Sequence, residues 1–175
     1  EANEWSSFAR NVREWLNSTL NGDENDIWDA FVSYQMLFFL ANNGMRVGEI
    51  VKVRRKDIRF YQRKGAVSYK SLCALIQVHP STKTGAREVN SMGGEFAKRV
   101  YDKSKFKTKS DFLFCHLDGT PFTTKQFRKW FERMIAFTNE NERWGKRFVP
   151  YGIRHFYATT RLQNGTTRSA LCENM

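Results

Sequence analysis

Apolar residues recur at steps of three and four between residues 4 and 20: Trp5, Phe8, Val12, Trp15 and Leu16. That spacing puts them on one face of a helix. Asn21-Gly22 ends it, with Gly22 expected as a left-handed cap. A second helix is predicted from about Asp26, which can serve as its N-cap. Along it Ile27, Trp28, Ala30, Phe31, Tyr34 and Leu37 point one way, and from 36 to 41 the chain is apolar all round, as a buried helix end is. Asn42-Asn43-Gly44 stops it, and a short helix is predicted over 47–53. The pattern then changes to short apolar runs between basic and Gly-containing turns. Residues 57–61, 74–78 and 86–90 are strand candidates, with Lys83-Thr84-Gly85 as a hairpin turn between the last two. A helix is predicted over 95–103, an extended run over 112–114 and a turn at Asp118-Gly119. Thr123 or Thr124 caps a helix whose apolar face is Phe127, Trp130, Phe131, Met134 and Ile135. Residues 139–147 read as a polar, basic loop. Pro150 precedes a helix over 152–163, closed by Asn164-Gly165, and a last helix begins near Thr166. The order is helices, a small antiparallel sheet of about three strands, then helices. That is an α+β domain, mostly helical, without repeats or linkers.

Composition narrows the class. The chain has 175 residues, 15 % of them aromatic, which is far from a disordered tail. Its longest apolar run, 36–41, is too short to span a bilayer, and no secretory signal opens it. It begins Glu1-Ala2-Asn3 without Met, so it is expected to be a piece of something longer. Cys73, Cys115 and Cys172 form no CxxC, and the histidines do not pair with them at zinc-finger spacing; a reducing cytoplasm and no metal site are expected. Charge says more. With 29 Lys and Arg against 18 Asp and Glu, the net charge is +11. A folded domain so basic suits a polyanion, nucleic acid before an anionic membrane, since no basic amphipathic helix with a clean apolar face is present.

Three segments carry candidate chemistry. In Gly44-Met45-Arg46-Val47-Gly48-Glu49-Ile50, an arginine after a glycine turn stands at a helix start, where guanidinium and backbone N–H groups can hold one phosphate, and Glu49 lies within pairing range. In Ser81-Thr82-Lys83-Thr84-Gly85-Ala86-Arg87, a lysine at a hairpin tip can bind phosphate or donate a proton. In Pro150-Tyr151-Gly152-Ile153-Arg154-His155-Phe156-Tyr157, Tyr151, Arg154 and His155 share a helix start. The plain alternatives are surface cations beside a cap or turn, a packed Tyr151 and a core His155.

In this order and at these separations the segments resemble the catalytic domain of the tyrosine recombinases, the phage-integrase family. Gly44 to Ile50 is similar to the family's first box with its arginine. Ser81-Thr82-Lys83-Thr84-Gly85 resembles its lysine hairpin. Leu113-Phe114 through Asp118-Gly119-Thr120-Pro121-Phe122-Thr123 resembles the segment between boxes. Ile153-Arg154-His155-Phe156-Tyr157-Ala158-Thr159, with Leu162 and Asn164-Gly165, resembles the second box. The resemblance covers almost the whole chain, with two departures: Tyr151 stands where the family has histidine, and the chain stops at Met175, before the position of the family's nucleophilic tyrosine.

What the resemblance implies is site-specific DNA recombination, for integration or excision of a mobile element, through a 3′-phosphotyrosyl intermediate and without cofactor or metal. Arg46 and Arg154 would clamp the phosphate, Lys83 would protonate the leaving oxygen and Glu49 would orient Arg46 or the active-site backbone. Tyr151 would donate to phosphate, and His155 would support it. Lys52, Arg54, Arg55, Lys56, Arg87, Lys105, Lys107, Arg143, Lys146 and Arg147 are expected DNA contacts, about half of them real, with Arg59, Lys103 and Lys109 in the same clusters. Implied partners are duplex DNA and, at full length, three further copies in a tetramer, in the cytoplasm of a bacterial or archaeal host, at its nucleoid. No membrane partner is expected. The piece itself is expected to bind DNA weakly and not to cleave it. The alternative is a non-catalytic DNA-binding module or regulator on the same fold; an RNA-binding role would need aromatic stacking motifs on the strands, and none is seen.

Overall fold

The computed structural model describes residues 2–63, 72–83, 85–145 and 147–175. Helix α1 (Ala2–Ser18) turns its apolar face inward, and Trp15 meets Trp130 edge-on at 6.1 Å. Its end differs from expectation: a 3-10 turn, Thr19–Asn21, closes it, and Gly22 has φ −77°, not left-handed. Helix α2 (Glu24–Ala41) starts earlier than predicted. Its cap is Asp23, whose carboxylate accepts from the Asp26 N–H at 3.0 Å. Asp26 instead lies within the first turn, where an acid favours the helix dipole. Residues 32–41 of α2 are buried on every side, which makes it the central helix. A short α3 (Val47–Ile50) follows.

Strands β1 (Ile58–Gln62), β2 (Leu72–Val78) and β3 (Arg87–Ser91) form an antiparallel sheet in the order β1-β2-β3. Register pairs Ile58 with Ile76 and Ile76 with Val89, so one face is a continuous apolar strip. Helix α4 (Gly94–Lys103) packs on β2. Gly94 makes this possible, because a Cβ there would lie 2.5 Å from the carbonyl carbon of Cys73.

The predicted extended run over 112–114 forms no strand and makes only isolated bridges, Arg54 with Phe112 and, just after the run, Cys115 with Pro121. Leu113, Phe114 and Cys115 are nevertheless buried, and His116 Nδ1 ties the segment to Asp29 of α2 at 2.8 Å. Helix α5 (Thr124–Thr138) opens with a capping box: the Gln126 N–H donates to Thr123 Oγ1 and the Thr123 N–H to Gln126 Oε1. The stretch predicted as a loop over 139–147 contains helix α6 (Glu140–Trp144). Asn139, at φ +54°, makes the left-handed turn from α5, and Glu140 is drawn into the core edge. Helices α7 (Pro150–Gln163) and α8 (Arg168–Asn174) end the chain, α8 capped by Thr167. Among the described residues no helix is long and apolar enough to cross a membrane.

Candidate active site

The turn between α2 and α3, the loop from β2 to β3 and the start of α7 meet at one place. Gly44 sits at φ +70°, and a Cβ on it would lie 2.4 Å from the Tyr157 ring; only glycine allows α7 so close. Asn43 is buried, and its Oδ1 accepts from the Met45 N–H at 2.8 Å, which shapes the turn. Arg46 then occupies the N-cap of α3 in extended conformation.

Glu49, one turn on, has only 2 % of its side chain exposed. Its carboxylate accepts from the Arg46 backbone N–H at 2.9 Å and from Arg46 Nη1 at 3.2 Å. It also takes a two-pronged pair from Arg87, Nη1 at 3.0 Å and Nη2 at 2.9 Å. A buried carboxylate held this way fixes both guanidinium planes. Arg154 donates to the carbonyls of Gly44 and of Met175, the latter at 2.9 Å. Burial, and next the charge of Arg46, push the Arg154 guanidinium below its ordinary pKa, with Arg87 adding to this and Glu49 opposing it. Two arginines thus bond one carboxylate with Arg154 within electrostatic range of it, and the surplus of positive charge suits an anion. Among the described residues no cluster of His, Cys, Asp and Glu could hold a metal.

Tyr151 is 58 % exposed, and its ring stands edge-on to His155 at 4.8 Å. His155 is itself exposed, so it is not a core histidine. Lys83 lies exposed in the β2–β3 loop; Thr84 beside it is outside the described residues.

The profile of the phage integrase family matches residues 8–174. The chain belongs to this family. Among solved structures this phage-integrase chain is similar to the XerH site-specific recombinase bound to its difH substrate before cleavage. The two are 19 % identical with a TM-score of 0.71, over 99 % of this chain and 45 % of XerH. It is similar also to the Tn1549 transposon integrase with transposon right-end DNA, at 21 % and 0.62, over 100 % of this chain and 56 % of that one. For a lambda integrase dimer on a COC′ core site the values are 12 % and 0.60, over 99 % and 54 %. The chain therefore spans about half the length of these structures, and the likeness is one of fold. A comparison with curated proteins finds no match.

The fold brings Arg46, Glu49, Arg154, Tyr151 and His155 together. The expected DNA contacts divide. Arg55 departs from expectation: it is buried, 3.4 Å over the Tyr101 ring, with Nη1 on the Tyr101 carbonyl. Its guanidinium is engaged within the fold. Arg87 is likewise turned inward onto Glu49. Arg54 covers Phe112 and donates to the Ser110 carbonyl, and Lys107 donates to the Asp102 carbonyl at 2.6 Å. Lys52 Nζ meets Ser81 O and Oγ at 3.3 and 3.2 Å. Arg143 touches Ser7 and lies 3.8 Å from Glu140, and Arg147 is 72 % exposed. Lys56 and Lys105 are exposed; Lys146 lies outside the described residues. Sequence reading missed the outer face of α5. Lys125, Arg128 and Lys129 are exposed there, on the helix whose first residue, Thr124, abuts Gly48. Their three-and-four spacing opposite the apolar face was the available signal.

Proposed function

We propose that this chain is the catalytic domain of a site-specific tyrosine recombinase of a mobile element, acting on duplex DNA. The observation that carries the reading is the convergence of Arg46 and Arg154 beside the buried Glu49, next to a loop that presents an exposed lysine. In this reading a tyrosine hydroxyl, supplied by sequence beyond Met175, attacks the phosphorus. Arg46 and Arg154 stabilise the charge that grows on the non-bridging oxygens. Lys83 gives its proton to the departing 5′ oxygen, leaving a 3′-phosphotyrosyl bond. The phosphodiester energy is kept in that bond, so no cofactor enters. Tyr151, where the family has histidine, donates its hydroxyl to the phosphate, and His155 props the ring. Exposed cations, among them Lys56, Lys105, Arg147 and the α5 row, contact the DNA backbone. At full length the protein works as a homotetramer on DNA, in the cytoplasm at the nucleoid.

The test is covalent capture. The full-length protein, mixed with nicked duplexes of randomised core sequence, is expected to yield a protein–DNA adduct, whereas the 175-residue chain binds duplex weakly and yields none. Arg46→Ala and Arg154→Ala should each lower the capture rate by about 10²–10³-fold. Capture by the 175-residue chain, or an undiminished rate in both variants, overturns these assignments. Sequence-selective binding without any adduct would favour a non-catalytic module, the reading for which the Tyr151 replacement speaks.

A further inference from the structure

Lys83 makes no sense as a proton donor unless its loop is held against the arginines, because a lysine on a mobile tip samples many positions. The structure supplies two ties, both to the short stretch that presents Arg46. Arg87 is the first residue of β3, paired with Val78 at the very base of the loop. Its guanidinium forks onto Glu49 with two bonds, at 3.0 and 2.9 Å, and its side chain is 14 % exposed. On the other arm Lys52 Nζ reaches Ser81 O and Oγ. Ser81 is fixed in turn by His79, whose Nδ1 accepts from the Ser81 N–H at 3.1 Å and lies 2.7 Å from its Oγ. Lys83 sits between these ties, two residues after Ser81 and four before Arg87.

We propose that Arg87 is a positioning residue, which through Glu49 locks the Lys83 loop to the turn carrying Arg46, with Lys52–Ser81 as the second tie. This rests on the reading of Lys83 as proton donor. Glu49 is then more than an orienting partner of Arg46: one carboxylate sets the phosphate clamp and the proton donor in a single frame. Lysine cannot replace Arg87, because an ammonium offers a point contact where the fork offers two parallel bonds.

Arg87→Lys keeps the charge, so Glu49 is not left alone and the fold survives. Hydrogen exchange on the 175-residue chain is expected to quicken in peptides covering 78–88 and to stay unchanged in α2. Unchanged exchange over 78–88 overturns the proposal. In the full-length protein Arg87→Lys should cleave ordinary DNA about 10²-fold more slowly. On DNA with sulfur at the 5′ bridging position, whose thiolate leaves without a proton, the defect should shrink to a few-fold, while that of Arg46→Ala persists. An equal Arg87→Lys defect on both substrates overturns the proposal, since Arg87 would then act through Arg46 alone. Lys83→Ala run alongside separates the two ideas. Normal cleavage by that variant removes Lys83 as proton donor, while the exchange result still reports on the tie.

Discussion

Neighbouring basic residues have opposite fates here, and the side chain's surroundings decide which. Arg54, Arg55 and Lys56 are consecutive, yet Arg55 alone is buried, stacked on Tyr101 and bonded to its carbonyl. Arg55→Leu should therefore act on stability. We expect a loss of about 1–3 kcal/mol in urea unfolding, the cost of breaking a buried charged hydrogen bond. Affinity of the folded variant for duplex DNA should stay within twofold; a larger loss in fluorescence anisotropy would place Arg55 at the DNA after all. Glu49 shows the same principle in reverse. From the sequence its pairing with Arg46 at i, i+3 was legible, because both lie on one helical turn. Its stronger pairing, with Arg87, was not, because those residues are 38 positions apart.

Among the elements, helices whose apolar period runs long were legible nearly to their ends: α1, α2, α5 and α7 lie where the pattern puts them. Short elements were less so. The extended run at 112–114 lacks a partner strand, and α6 has too few residues to show a period. The outer face of α5 is where an element-scale prediction belongs. Arg128 is partly neutralised by Glu132 at 3.0 Å, whereas Lys125 and Lys129 have no ion pair with a described residue. If both meet phosphates, the double variant Lys125→Ala/Lys129→Ala should reduce the slope of log affinity against log salt by about 2. Titrations of duplex binding between low and moderate salt read this directly; an unaltered slope would place the DNA elsewhere.

For the whole molecule, two acids set a dependence on pH. Burial raises the pKa of Glu95, against its own backbone N–H and Arg99, and burial likewise raises that of Asp29 despite His116. Glu95 Oε2 has no hydrogen-bond partner among the described residues. A raised pKa means the folded chain holds its proton more tightly than the unfolded one. Stability from Glu95 is therefore full below its ordinary value near 4.5 and is lost as pH rises through the folded value. Glu95→Gln should unfold at higher urea than the parent at pH 7 and at similar urea at pH 4; equal midpoints at both would refute it. The order of the longer elements, the buried end of α2, the helix starts at Arg46 and Arg154 and the surplus of cations were legible in the sequence alone. They rest on periodicity, turn residues and charge, which are local or additive. Which cations face inward was decided only by the tertiary structure. Arg55 on Tyr101, Arg87 on Glu49, Lys52 on Ser81 and Arg154 on the Gly44 carbonyl are contacts between distant segments. Their energies depend on burial and geometry, which no local pattern encodes.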